Sequence, residues 1–347
     1  MNDKIYGLIY GQCLGDAVGL QTEFKYSADG YNVTFPYTEP IGNFPVCDWT
    51  DDSDHMIIVM ESLTSMKKLD QLDIASRLTS WVDHGFEELG DKFGTGLGGT
   101  TATIVRDPEF VTNPVVVANR VWESSGKKLA PNGSLMRTSI ISCIYDYNIM
   151  LQYSHDLCII THVDTRCIAA CMMYNSILHG LMYSDMSFDE LFVRGVKIAS
   201  VYLRDDSPEY IQGMRHQPTP AYYYDNKFKS RLEELIYYAR AGYKGELNLL
   251  QLDSIGTIGY VFKCLGAAMY GLYALKNKKS FEYTITTLAN ACGDADTNCA
   301  VAGALIGSYI GYKSLPTKWL KSLPNKKWLD EKIPSFIKFI EFSGGKN

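Results

Sequence analysis

A chain of 347 residues with 46% apolar and 21% charged residues can bury a sizeable core and is too apolar to remain disordered. Its formal charge of −6 counts against a nucleic-acid backbone as the main partner, and no apolar run is long and unbroken enough to span a bilayer. Nine cysteines without a CxxC pair read as buried, reduced thiols of a cytoplasmic protein, and the start, MNDKIYGLIYGQCLGDAVGL, lacks the basic flank and cleavage site of a signal peptide.

In chain order, residues 5–20 place Gly7, Gly11, Gly15 and Gly19 at four-residue steps. On a helix these form one stripe, against which a second backbone can come close. Asp16 falls inside this helix and Glu23 just after it. YNVTF at 31–35 alternates like a short strand. Residues 54–66, 157–180, 188–203, 228–241, 256–275 and 298–311 carry apolar residues at the spacing of a helix face. The proline-bearing stretch 205–227 reads as a loop or insertion. The tail from Leu315, with Pro316, Pro324 and Pro334, is expected to wrap the outside. The simplest account of the residues is one compact, mainly helical domain.

Four polar stations interrupt the apolar helices. LGDAVGLQTEF holds Asp16 and Glu23, and DWTDDSDHM holds Thr50, Asp51 and Asp52. PNGSLMRTS holds Asn132, Gly133 and Ser134, and CGDADTNCAVAGALIGSYIG holds Asp294, Asp296 and Thr297. In the second and fourth stations, a threonine and two carboxylates stand where a buried helix begins. Capping needs one such residue, and each site offers three. If the two helices meet, four negative charges share a pocket and take up protons unless cations neutralise them. Two divalent ions match that charge, and an all-oxygen ligand set favours Mg2+, Mn2+ or Ca2+ over Zn2+.

The glycine loop KFGTGLGGTTATIV at 92–105 and the Asn132–Gly133–Ser134 turn each precede a helical start. Backbone N–H groups can converge on an anion in such a setting. No strand precedes either, so the dinucleotide fingerprint is not met, and no GK[ST] sequence occurs. His162, in ITHVDTRC, sits where an apolar stretch meets a polar turn, a place where a lone histidine is more often structural; the other histidines form no pattern. The rings of YYYD at 222–225 suit packing as well as stacking on a base.

The ordered set GLIYGQCLGDAVGLQTEF, WTDDSDHM, NGSLMR, ITH, GYVFKCLGAAMYGL and GDADTNCAVAGALIGSYIG resembles the ADP-ribosylglycohydrolases from about residue 5 to residue 311. The resemblance implies an all-α fold, a compact orthogonal multi-helix bundle carrying two Mg2+ or Mn2+ ions, as a single domain over 1–347 with a motif-bearing core at about 5–311 and a C-terminal extension at about 312–347. It implies hydrolysis of the bond between C1″ of the distal ribose of ADP-ribose and a protein side chain or small acceptor. Metal ligands are then expected at Thr50, Asp51, Asp52, Asp294, Asp296 and Thr297. Glu23 or Asp294 is expected to handle the water's proton. Substrate contacts are expected at Gly98, Gly99, Thr100, Asn132, Gly133, Ser134, His162 and Tyr260. The expected partner is an ADP-ribosylated protein or an ADP-ribosyl small molecule, met by a monomer, with neither nucleic acid nor membrane involved.

Two departures from the family pattern matter. Ser53 replaces the last threonine of the usual TDDT motif but keeps a hydroxyl. Gly96 stands where some bacterial members carry an aspartate, which counts against an arginine-type specificity. Two alternatives stay open: a hydrolase of free metabolites such as O-acetyl-ADP-ribose, and a non-catalytic, crystallin-like relative. Relatives of the latter kind typically lose metal-ligand residues, and this chain keeps all six.

Overall fold

The computed structural model describes residues 1–203 and 228–343; the stretch read as a loop or insertion at 205–227, with its YYYD run, lies outside them. The described residues form α-helices and short 3-10 turns and contain no sheet, only isolated bridges. The helices are α1 (Asn2–Gly19), α2 (Asp51–Met66), α3 (Gln71–His84), α4 (Gly99–Val105), α5 (Pro114–Ser124), α6 (Tyr147–Ile159) and α7 (Thr165–Tyr183). They continue with α8 (Phe188–Tyr202), α9 (Arg231–Tyr243), α10 (Val261–Lys276), α11 (Phe281–Asn290), α12 (Ala295–Ile310), α13 (Thr317–Leu320) and α14 (Lys326–Ser343).

The glycine stripe of α1 is the seam of the fold. A Cβ at Gly7, Gly11, Gly15 or Gly19 would fall 2.2, 2.3, 2.1 or 2.2 Å from the carbonyl oxygen of Gly307, Gly303, Cys299 or Ala295 respectively. The pairing descends on α12 as it rises on α1, so the two helices are antiparallel with backbones in contact. Only residues without a side chain allow this approach. The C-terminal end of α1, with Asp16, therefore lies against the N-terminal end of α12, with Asp296. Helix α12 is buried nearly all round; α10 and α11 also pack on it, and α7 and α2 touch it. This explains its continuous apolar run.

The sequence reading differs from the structure in three places. The stretch 157–180 holds parts of two helices, α6 and α7. Asp164 caps α7 by accepting from the Arg166 N–H at 2.9 Å, and the apolar period runs across the break because both helix ends are buried. YNVTF at 31–35 is not a strand: its alternation reflects the burial of Val33 and Phe35 in irregular chain, where Phe35 meets Trp319 edge-on at 5.4 Å. The sequence reading has no counterpart for α3, α5, α11, α13, α14 or the body of α6 before residue 157. In the tail, α14 runs through Pro334 and buries Leu329, Ile333, Phe336 and Ile340 on one face, packing against α2.

Candidate functional site

The α1–α12 seam and the start of α2 bring three of the four polar stations to one place. Asp16, fully buried, reaches from α1 to the beginning of α2. Its carboxylate accepts from the Thr50 N–H (3.1 Å), the Thr50 hydroxyl (2.9 Å), the Ser53 N–H (3.0 Å) and the Ser53 hydroxyl (2.7 Å). The serine at position 53 thus does the work expected of a hydroxyl there. Asp52 Oδ2 lies 3.3 Å from both the Thr50 and the Thr297 hydroxyls, so the two threonine–aspartate motifs, 245 residues apart, meet on one oxygen. Gln12 locks this junction by donating to the Asp52 carbonyl at 3.0 Å and the Met136 carbonyl at 2.8 Å while accepting from Ser139.

Glu23 is brought in by a short antiparallel bridge. The Phe24 N–H donates to the Gly293 carbonyl at 2.6 Å and the Gly293 N–H donates to Lys25, which sets Glu23 beside Asp294. Two carboxylate triads result, Asp16–Asp52–Asp296 and Glu23–Asp294–Asp296, each with oxygens within 4.8 Å of one another and with Asp296 in common. Asp51 lines the same space outside both triads. It lies against Gly96, where a Cβ would fall 2.3 Å from Asp51 Oδ1.

Glu23, Asp51, Asp52, Asp294 and Asp296 line a cavity of about 180 Å³, Asp16 stands outside its lining, and no lysine or arginine is among its lining residues. The electrostatic consequence is large. Burial, then neighbouring negative charge, pushes Asp51, Asp52 and Asp296 well above the ordinary carboxylate range. Burial raises Glu23 to about 7, aided by Asp294 and Asp16. Burial raises Asp16 to about 6, with the hydrogen bonds from Ser53 and Thr50 pulling the other way. Burial also raises Asp294, against the bond from Asn132. Asp52 Oδ1 is buried and has no hydrogen-bond partner. Buried like charges with an orphaned acceptor are the arrangement expected where a hard cation completes the site.

The two glycine turns border the same cavity. Gly98, Gly99 and Thr100, at the start of α4, line it, and so do Asn132 and Gly133. Asn132 donates from Nδ2 to Asp294 Oδ2 at 2.6 Å and from its backbone N–H to Gly259 at 2.9 Å, which ties this turn to the acidic side. His162 lines the cavity; burial and the Arg137 charge hold its ring down at about 3, so it is neutral.

Of the residues expected as metal ligands or substrate contacts, three do not line the cavity. Ser134 is fully buried and faces the Cys171 thiol at 3.6 Å. Tyr260 lies behind, its ring 5.8 Å from the Arg166 guanidinium. Thr50 stands behind Asp52. Conversely Phe24, Thr101, Pro131, Met136 and Gly259 line the cavity without having been singled out. Their neighbours in sequence carried the signal, but an apolar lining residue has no chemistry to announce itself. All nine cysteines are buried and unpaired, and no helix among the described residues is long and apolar enough to cross a membrane.

Comparison with known proteins identifies the family. The family model described as ADP-ribosylglycohydrolase matches residues 1–341. The chain is similar to ADP-ribosylarginine hydrolase Tri1 of Serratia proteamaculans (25% identical, 92% of this chain, 75% of the relative). It is also similar to the protein of that name from Pseudomonas putida (23%, 92% and 74%). A putative ADP-ribosyl glycohydrolase of Acanthamoeba polyphaga mimivirus is 21% identical over 91% of this chain and 89% of its own. Among solved structures, an ADP-ribosylglycohydrolase-related protein shares the fold, with a TM-score of 0.66 and 20% identity over 98% of each chain. The chain belongs to the ADP-ribosylglycohydrolase family.

Proposed function

We propose that this protein hydrolyses the C1″ glycosidic bond that joins the distal ribose of ADP-ribose to a protein side chain, using two divalent cations, Mg2+ or Mn2+. The observation that carries the reading is the pair of carboxylate triads sharing Asp296, in a cavity lined by no cationic side chain and faced by two glycine turns. The residues fit the ions: the donors are all oxygen, the charge is uncompensated, and Asp52 Oδ1 is left without a partner. Asp16, Asp52 and Asp296 would hold one ion and Glu23, Asp294 and Asp296 the other, with Asp51 and the Thr50 and Thr297 hydroxyls completing the set. When bound, the ions would act as Lewis acids on the ribose hydroxyls and on the attacking water.

The remaining work falls to the chain. Glu23, half-buried at the cavity edge beside Asp294, is placed to take a proton from the attacking water and return one to the leaving group. Asp294 is the alternative base, and its bond from Asn132 fixes the direction in which its carboxylate points. Gly99 and Thr100, at the start of α4, and Gly133 line the same cavity as the acids, which suits the pyrophosphate at the glycine turns and the scissile bond at the acids.

The relatives' names point to ADP-ribosyl-arginine as a substrate, while Gly96, with no room for a side chain against Asp51, removes a carboxylate that could pair with an arginine. The test is a panel of ADP-ribosyl-arginine, ADP-ribosyl-serine and O-acetyl-ADP-ribose, incubated with and without Mg2+, with ADP-ribose release measured. Release from at least one of them, lost on chelation, is expected. No release from any with metal present would leave a binding protein.

A further inference from the structure

Behind the Asn132–Gly133 turn lies a buried polar chain that the reaction scheme does not use. Arg137 is fully buried and donates to three neutral acceptors: the Thr161 hydroxyl at 2.7 Å, the Leu157 carbonyl at 3.1 Å and the Gly133 carbonyl at 3.4 Å. The Thr161 oxygen is in turn 2.6 Å from His162 Nδ1. His162 Nε2 is buried, has no protein partner, and lies 3.2 Å from where a Cβ on Gly133 would be, at the cavity wall.

The proton count in this chain has one good solution. A guanidinium has only donors, so the Thr161 oxygen accepts from Arg137. Thr161 then has a single proton to give, and among the described residues its hydroxyl meets no other side chain or carbonyl than these two. If Nδ1 were protonated, that hydroxyl proton would be stranded in a buried site, at the cost of an unsatisfied donor. The proton therefore goes to Nδ1, which accepts, and the ring proton sits on Nε2. Burial and the Arg137 charge keep a second proton off the ring.

We propose that Arg137 and Thr161 are positioning residues that hold His162 as a neutral ring with its Nε2–H aimed into the cavity, a hydrogen-bond donor to an oxygen of the bound ADP-ribosyl group. The ligand named here rests on the proposed function; the state of the ring does not. A fixed neutral donor beside a glycine turn recognises a phosphate or ribose oxygen without adding charge near the cations.

The test reads the ring directly. In 15N-labelled protein at neutral pH, long-range proton–nitrogen correlation distinguishes a protonated from a bare ring nitrogen, and His162→Gln assigns the signal. The wild type is expected to show a protonated Nε2 and a hydrogen-bonded, bare Nδ1. Thr161→Val is expected to move the Nδ1 signal toward that of an unbonded nitrogen and to weaken ADP-ribose binding about 3- to 10-fold, and Thr161→Ser to restore both. A proton on Nδ1 in the wild type, a doubly protonated ring, or a valine variant with unchanged Nδ1 signal and affinity overturns the proposal. A wild-type ring in the expected state with no ADP-ribose binding at all overturns the ligand and the functional reading, while the tautomer assignment stands.

Discussion

Gly303→Ala tests whether the acidic site depends on backbone contact between α1 and α12. The added Cβ would fall 2.1 Å from the Gly11 carbonyl oxygen, where ordinary contact begins at 3.4 Å, so the helices must part locally by about 1.3 Å. The obstacle is backbone on a fully buried helix, and no side chain can rotate out of the way. Overpacking of this kind costs about 1–3 kcal/mol, here toward the upper end, and alanine's better helix propensity returns about 0.5–1 kcal/mol. The expected net loss is about 2 kcal/mol, read as a lower urea midpoint at an unchanged slope. Gly99→Ala is the control: no atom lies within 4 Å of its added Cβ, so stability should stay within about 0.5 kcal/mol of wild type. Position along the seam should also matter. Gly15 adjoins Asp16, so Gly15→Ala should lose divalent-cation affinity out of proportion to its stability loss, whereas Gly7→Ala, at the far end, should lose stability alone. A Gly303→Ala protein as stable as wild type would show that the seam is not close-packed and would refute this account of how Asp16 and Asp296 are brought together.

Asp296 belongs to both carboxylate triads, so Asp296→Asn is expected to abolish turnover and weaken Mg2+ binding in calorimetry; full Mg2+-dependent activity in this variant would contradict the site assignment. Glu23→Ala should lower the rate while sparing most ADP-ribose affinity, and a large loss of affinity with little change in rate would make Glu23 a binding residue instead. Without divalent cations, the folded protein holds protons on Glu23 (about 7, ordinarily 4.5) and Asp16 (about 6, ordinarily 3.8), so their contribution to stability is full below about pH 4 and is lost as pH rises through 6 to 7. The melting temperature of the metal-free protein should therefore fall between pH 5 and pH 8, and Mg2+ should recover it at pH 8; a midpoint that rises over that interval without metal would reverse the sign of the argument.

The sequence made the polar stations and the glycine stripe legible because each departs from its surroundings: acids among apolar residues, and glycines at a period that only a close helix contact needs. It placed α1, α2, α8, α9, α10 and α12 within a few residues of their ends. It hid the boundary at 160–164, because the buried ends of α6 and α7 are both apolar. It hid α3, α5 and α11, whose polar outer faces weaken the apolar period that marks a buried helix. Contacts made by shape were the least legible. Ser134 and Tyr260 belong to motif stretches yet stand behind the cavity, whereas Phe24, Met136 and Gly259 line it through the path of the backbone. Arg137 looked like one more residue of NGSLMR, and only the structure shows it buried with three neutral acceptors.

Capping accounts for only part of the acid at the two helix starts. Thr50 caps α2 in the ordinary way, accepting from the Asp52 N–H, but Asp16 from the neighbouring helix also accepts from the N–H groups of Thr50 and Ser53. The first turn of α2 is thus served by an oxygen from elsewhere in the chain, and the carboxylates of Asp51 and Asp52 are released from that task. At α12, Asp294 occupies the cap position and caps nothing with its side chain; Asn132 holds it toward the cavity instead, while one oxygen of Asp296 takes the Thr297 N–H. Counting acceptors against helix N–H groups therefore leaves a surplus of negative oxygen on both helices, all on the side of the α1–α12 seam that faces the glycine turns. Helix dipoles favour negative charge at both starts, but by about 1 kcal/mol each, too little to offset several buried carboxylates within 4.8 Å of one another. A balance of that sign requires either protons or cations in the cavity.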